Sequence, residues 1–502
     1  MSLPNGKVMP MGTWEKRQGS SHAGKPARSL ITGEEARSLG IEAQFLVVLV
    51  IAFFASRFLY FDIGIRFDST LLFSGIQFLD VNLLQHRLIE SIFHLHCQPP
   101  LFNLLLGVML KAFPGSIDTA FHVLFMGFGL ILVLSMYGVS RMVGVPTILS
   151  LTITILYLAS PAAVLYENFL LYTYPTASLL CLSALLLALW DRTGSHAFGA
   201  AFFSTLGAVI LTRSVFQMPW FLAVGLIVAA SAGTERRSVV GLAIVPFLIV
   251  CSWQAKNYVQ FGSVATSTLL GLNLTRNTVE RLSPDQVTEM VRAGRLSGLA
   301  TMPALSEFEA YGLDDPQPTG IPALDQKVKE RPSVGPNHNF VGYIQVSNLR
   351  LQDALIVIAS HPAQFAQNVL DAVSIWLRPA FEALHGTRNA EALGFLDPVL
   401  VTQGAEGVSR WLSGGLVALC YIVALLYGAA VTVRLVRDSD ISPCRPVMAF
   451  MWLTVLYAAI VVNLTEIWEN NRIRFMTDPY VWIMVASALT QIPWIKTTAR
   501  ED

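Results

Sequence analysis

A few ionisable side chains stand at the edges of long apolar runs, and their types suggest a chemistry. Asp62 and Asp68 flank Ile63-Gly64-Ile65-Arg66-Phe67, directly after such a run. A carboxylate there is partly desolvated and could act as general base on an acceptor hydroxyl. It could equally be solvated by headgroup water or pair with Arg66. Glu167 is the only charged residue between Arg141 and Asp191, so it needs a partner or a function, unless it simply faces water. Arg213 interrupts a long apolar stretch; its guanidinium suits bidentate grip of a lipid phosphate, with headgroup snorkelling as the plainer reading. Glu466, Glu469, Arg472 and Arg474 lie within one short polar segment and would suit a phosphate and a sugar, or form an exposed ion-pair cluster. Lys256 adds a cation ahead of Asn257.

The elements that position these residues follow from composition. The chain has 502 residues, 53% hydrophobic and 14% charged, against about 25% charged in soluble domains. Apolar residues cluster in blocks long enough to cross a hydrocarbon core of about 30 Å. The fold class expected is therefore an all-α polytopic membrane protein. A formal net charge of zero argues against nucleic acid as a partner. Cys97, Cys181, Cys251, Cys420 and Cys444 form no CxxC pair and specify neither a disulfide framework nor a zinc site.

Ten spans are expected, at roughly 43–60, 118–138, 146–162, 174–190, 197–212, 214–231, 239–255, 412–433, 446–463 and 478–494. The polar residues 1–42 read as a disordered cytoplasmic tail, and 495–502 as a second short tail. With both termini cytoplasmic, Arg141, Arg192, Arg236, Arg237, Arg434, Arg437 and Arg445 fall inside, as the positive-inside rule requires. Two large segments then lie outside. One is 61–117, where Pro99–Phe113 reads as a re-entrant or interfacial helix. The other is the proline-rich 256–411, with a surface helix over about 349–380. The chain divides accordingly into a transmembrane module over 43–255, the external region 256–411 and C-terminal spans over 412–494.

His86, His94, His96 and Cys97 lie close together but match no standard metal spacing. There is no P-loop and no Rossmann fingerprint, so a group donor would arrive in the membrane and not as a soluble nucleotide.

Taken in order, these segments resemble the GT-C-type membrane glycosyltransferases, in particular the bacterial relatives of protein O-mannosyltransferases and of the aminoarabinose transferase that modifies lipid A. Gln98-Pro99-Pro100-Leu101-Phe102-Asn103-Leu104-Leu105 resembles the family's HPPLYxxLL helix, with Gln98 for the usual His. Ser160-Pro161 followed by Tyr166-Glu167 resembles its SPxxxxYS segment, and Leu211-Thr212-Arg213 its LTK element. Lys256-Asn257 through Phe261-Gly262-Ser263 resembles RN-x-x-x-FGS. Glu469 through Phe475 with Pro479 resembles E-x-x-RYR-x-x-x-x-P.

The resemblance implies a GT-C-like fold of about ten transmembrane helices with two large external loops, and transfer of a sugar from a polyprenyl-phosphate donor on the external face. The acceptor would be a glycan, lipid or protein, and the setting a bacterial inner membrane. No cofactor is expected, the lipid-linked sugar being a substrate, and no metal-ligating residues are singled out. Asp68 is the implied base, Asp62 its rival because Ser69 replaces a second acid, and Glu167 would orient the acceptor or assist. Arg213, Lys256 and Arg474 would hold the donor phosphate, with Arg472 and Glu469 beside them. A lipid or sugar transporter is one alternative, and an inactive scaffold, kept open by Gln98 and Ser69, is the other.

Overall fold

A computed structural model of the chain describes residues 33–231, 236–384, 387–393, 408–437 and 444–491. Most of the expected N-terminal tail, the C-terminal tail 495–502 and the loop 394–407 lie outside the described residues. Contacts divide the chain into Met1–Leu46 and Val47–Asp502. The described part of the first unit is the start of one helix, and everything below belongs to the second.

Among the described residues the elements are helices joined by turns and loops, with isolated bridges and no extended strand pairing. The principal helices begin with α1 (Gly33–Asp62), α2 (Pro100–Ala112), α3 (Ile117–Met142), α4 (Thr147–Leu158) and α5 (Pro161–Glu167). Next come α6 (Thr173–Thr193), α7 (His196–Thr212), α8 (Met218–Ser231), α9 (Arg236–Phe261) and α10 (Leu270–Arg276). The last are α11 (Gly342–Ser360), α12 (Pro362–Trp376), α13 (Val408–Arg437), α14 (Arg445–Thr465), α15 (Asn470–Phe475) and α16 (Asp478–Leu489).

This is an all-α polytopic membrane protein. Among the described residues, six helices are long and apolar enough to cross a bilayer, or seven if α4 and α5 form one span bent by 57°. Helix α7, with 17 residues, matches the expected span at 197–212, whereas α8 (14 residues) and α16 (12 residues) are shorter than the expected 214–231 and 478–494; all three fall below the length of about 20 residues for a full crossing. The reason is local. Residues 213–217 break the long apolar stretch between α7 and α8, and both helices bury one face in the bundle. The lipid-facing helices show the opposite pattern. Ile51, Phe58, Val245 and Leu426 are all exposed, a surface suited to hydrocarbon and not to water. In the bundle, small residues admit close neighbours: a side chain on Gly199 would meet the Trp190 ring, and one on Gly138 would meet Leu185.

The helix ends sort into two sets. At one end the Cys444 backbone N–H donates to Asp191 (2.8 Å) and its thiol to the Met142 carbonyl (2.7 Å), joining the ends of α3, α6 and α14 beside Arg141, Arg192 and Arg445. The opposite end carries the two large loop segments. In the first, α2 stands over the expected Pro99–Phe113 helix and is preceded by three shorter helices, Leu71–Ser74, Val81–His86 and Leu88–Phe93. In the second, the expected helix over 349–380 is two helices, α11 and α12. Pro362 starts the latter and forces His361 out of helical geometry (φ −131°, ψ 55°).

The two segments are hydrogen-bonded to one another. Asp80 caps a short helix through Asn82 N–H (2.7 Å) and also accepts from Glu330 N–H (2.6 Å). The buried Lys329 ammonium donates to the Gly75 carbonyl (2.6 Å), and Asn339 accepts from His96 N–H (2.8 Å). His96 is buried: its Nδ1 lies 2.7 Å from the Thr268 hydroxyl and its Nε2 3.0 Å from the Asn339 carbonyl. A carbonyl can only accept, so Nε2 carries the proton.

Burial lowers the His96 imidazole to about 3, and burial, then Lys329, lowers His338 to about 4. Both are neutral in the fold, whereas the unfolded chain takes up protons near pH 6.5. Stability is therefore intact above pH 6.5 and falls as the pH drops below it, by about 2 kcal/mol per histidine at pH 5. Thermal unfolding followed between pH 7 and pH 5 should show this loss. It should shrink in a His338→Phe variant, and a pH-independent midpoint would contradict it.

Candidate active site

The site is built on the break between α4 and α5. Pro161 lacks an N–H and its ring obstructs the preceding turn, so α4 stops and Ser160 caps α5 through the Ala163 N–H. The carbonyls freed by the break need donors at this depth. Helix α1 supplies them: Arg57 Nη1 donates to the Leu158 carbonyl (3.1 Å) and the Tyr60 hydroxyl to that of Ala159 (2.7 Å). Arg57 also grips Glu167 bidentately, Nε to Oε1 at 2.8 Å and Nη2 to Oε2 at 2.5 Å, and the Tyr174 hydroxyl adds a third donor at 2.7 Å. Glu167 is fully buried. Its carboxylate has room only because position 129 in α3 is glycine, where a Cβ would stand 2.3 Å from Oε2.

Glu167 thus has a partner that the sequence reading missed. The signal was an arginine inside the first apolar run.

The residues after Glu167 bring in the first loop. Asp68 N–H donates to the Asn168 carbonyl (2.8 Å) and Leu170 N–H to the Asp68 carbonyl (2.9 Å). The Asp68 side chain is half-buried; its Oδ1 accepts from Thr70 N–H (2.9 Å) and Oγ1 (2.6 Å), and Oδ2 has no hydrogen-bond partner among the described residues. Ser69 donates to Asp118, so a second carboxylate reaches this spot from the start of α3. Asp118 was not singled out from sequence. Asp62 is exposed at the C-terminal end of α1, where the helix dipole disfavours an anion. Arg66 stacks on the Phe61 ring (3.6 Å) and bonds backbone carbonyls, so it pairs with neither aspartate.

Four residues beyond Asn168, Tyr172 receives Arg213. The guanidinium lies over the phenol ring (4.6 Å) and donates to its hydroxyl. Arg472, in α15, lies within electrostatic reach of Arg213, Tyr172 and Tyr166 and pairs with Glu469. Both arginines are buried, and the Nε of each has no hydrogen-bond partner among the described residues. Burial and then the nearby Arg472 hold Arg213 below its ordinary value, although Tyr172 opposes them. Burial pulls Arg472 down too, but Glu469 and the phenols raise it above its ordinary value. The side chain of Glu469 is 43% exposed, so the pair opens toward solvent on that side. Two buried guanidinium groups, of which Arg472 pairs with Glu469 and Arg213 only with a phenol, form a cationic centre with unused donors, the arrangement that suits a phosphate.

The other expected cations are placed differently. Lys256 lies over the Trp253 ring (3.8 Å) and donates to the Leu95 carbonyl (3.0 Å). Arg474 is buried and satisfied: it donates to the carbonyls of Trp376 (2.6 Å) and Arg378 (2.9 Å) and to Asp478 (3.1 Å). The Arg474–Asp478 pair closes the polar end of an apolar cavity of about 330 Å³ between α4, α13 and α16. The structure therefore brings Asp68, Glu167, Arg213, Arg472 and Glu469 around one segment, 167–172, and sets Asp62, Lys256 and Arg474 apart from it.

No protein-family description matches the chain, and no curated protein does. Among solved structures it is similar to ArnT from Cupriavidus metallidurans in the apo state, with 14% identity, a TM-score of 0.29 and coverage of 89% of this chain and 78% of that one. It is likewise similar to the same ArnT bound to undecaprenyl phosphate, with 16% identity, a TM-score of 0.30 and coverage of 88% and 78%. At this level the likeness leaves the reading of the site to the side chains themselves.

Proposed function

We propose that this protein is a GT-C-like membrane glycosyltransferase that moves a sugar from a polyprenyl-phosphate donor to an acceptor hydroxyl on the external face. The observation that supports it most is the buried pair Arg213 and Arg472, with unpaired Nε donors, joined through Tyr172 to the segment that docks Asp68.

In this scheme the Asp68 carboxylate takes the proton of the acceptor hydroxyl. The hydroxyl oxygen then attacks the anomeric carbon as the bond from that carbon to the phosphate oxygen breaks. The electron pair leaves with the polyprenyl phosphate, and Arg213 and Arg472 stabilise its growing charge. Glu167 is a positioning residue: fixed by Arg57 and Tyr174, it holds the segment to which Asp68 is bonded. Asp118 holds Ser69 beside the base. Inversion at the anomeric carbon is expected by analogy.

The test is sugar transfer from a polyprenyl-phosphate-sugar by the full-length protein in lipid nanodiscs, comparing Asp68→Ala with Asp62→Ala. Asp68→Ala should lower the rate by about 10²–10⁴-fold, the range for loss of a general base, and Asp62→Ala should change it little. If neither substitution lowers transfer, the assignment is wrong. If lipid crosses the bilayer without transfer, a transporter is the better description.

A further inference from the structure

At the solvent end of α9 an open groove of about 460 Å³ runs between that helix and α11. It is lined by side chains that neither the sequence reading nor the proposed chemistry uses. Helix α9 stops sharply because Gly262 adopts a left-handed backbone (φ 70°) and returns its N–H to the Tyr258 carbonyl at 2.9 Å. This leaves Gln260 and Phe261 at the rim. Opposite them, α11 presents Gln345, Asn348 and Gln352, spaced i, i+3, i+7 on one face and all exposed. Pro316 and the apolar Val341, Ile344 and Leu349 complete the wall. No lining residue is charged. The Gln260 side-chain oxygen Oε1 is buried without a hydrogen-bond partner, and none of the three side-chain amides on α11 bonds within the described protein.

We infer that this groove binds a neutral oligosaccharide, part of the acceptor of the reaction proposed above. This inference rests on that reading for its place in the reaction. A carboxamide presents a donor and an acceptor side by side, and so can pair with two neighbouring sugar hydroxyls at once. Uncharged amides also lose less on desolvation than carboxylates or guanidinium groups. Phe261 offers an aromatic face against which the apolar face of a pyranose can lie. The α11 stripe is about 10 Å long at 1.5 Å per residue, which suits a short chain of sugars better than a single ring. No residue that lines the groove offers an anionic glycan or a phospholipid headgroup a compensating cation. The groove also lies one helical turn beyond Lys256, whose ammonium is 5.3 Å from the Phe261 ring.

The test uses the full-length protein in nanodiscs and a panel of neutral pentasaccharides built from glucose, galactose, mannose or N-acetylhexosamine, with uronate-containing chains as anionic counterparts. Binding is followed by saturation-transfer NMR and titration. At least one neutral pentasaccharide should bind, and Gln345→Ala/Gln352→Ala should weaken it at least tenfold. Asn348→Trp, which fills the groove from the same exposed stripe, should do likewise. Absence of binding by every neutral chain, preference for the uronates, or unchanged affinity in both variants would overturn the inference. Neutral-glycan binding that maps to the groove sustains the ligand class even if Asp68→Ala leaves sugar transfer intact, so failure of the catalytic reading is seen separately.

Discussion

Arg472→Gln is expected to lower sugar transfer by about 10²–10³-fold, the scale on which loss of one preorganised donor to a developing oxyanion is felt. The side chain is buried, keeps an unpaired Nε and is held above its ordinary pKa by Glu469 and the neighbouring phenols, against the cost of burial. A glutamine preserves much of the volume but not the charge. Arg213→Gln has an effect of the same order, because that guanidinium faces the same centre from the end of α7. The two losses are not additive. Once one cation is gone the phosphate is poorly held, so removing the second costs less than it does alone. A double-mutant cycle of transfer rates measures this coupling. Independent, fully additive losses would mean the arginines serve different ligands. Arg474→Gln gives a contrasting signature: its donors go to Trp376, Arg378 and Asp478, so its loss shows first as a lower unfolding temperature.

Glu167→Ala destabilises the protein by about 3–5 kcal/mol, because it strands the Arg57 guanidinium in a buried position. The bidentate contacts at 2.8 and 2.5 Å are lost together with the Tyr174 bond. Replacing both members of the pair by methionine should recover much of the stability, since no charge is then left unpaired. Activity should stay low in the double variant, because the segment that docks Asp68 has lost its anchor. Gly129→Ala acts on the same network from the other side: its new methyl group would collide with the Glu167 carboxylate. Thermal unfolding of detergent-purified protein separates these cases. A Glu167→Ala variant as stable as the parent would show that the pair carries no structural weight.

The membrane character and the clustering of helix ends were legible from composition and from the few charges, because an apolar chain leaves each arginine little freedom of place. The break at Ser160-Pro161 was legible as a motif, but not as a bend, since its angle depends on α1 supplying Arg57 and Tyr60 to the freed carbonyls. Arg57 itself was passed over because it lies inside an apolar run, 110 residues from its partner. Periodicity carries no information about contacts at that separation. Asp118 escaped for the same reason. Arg213 and Arg474 looked equivalent in sequence, each an arginine beside an apolar stretch. Their difference lies in what surrounds them: three carbonyl or carboxylate partners satisfy Arg474, whereas Arg213 has a single phenol. The lengths of α8 and α16 were overestimated because hydropathy counts apolar residues whether protein or lipid covers them.

The central claim is that Arg213 and Arg472 form a phosphate site for a polyprenyl lipid. The most direct measurement is equilibrium binding of a polyprenyl phosphate and of the matching polyprenol to the full-length protein in nanodiscs. The phosphate should bind saturably and the alcohol much more weakly, with the preference abolished in Arg213→Gln/Arg472→Gln. Equal binding of phosphate and alcohol, or a preference that survives the double substitution, would contradict it.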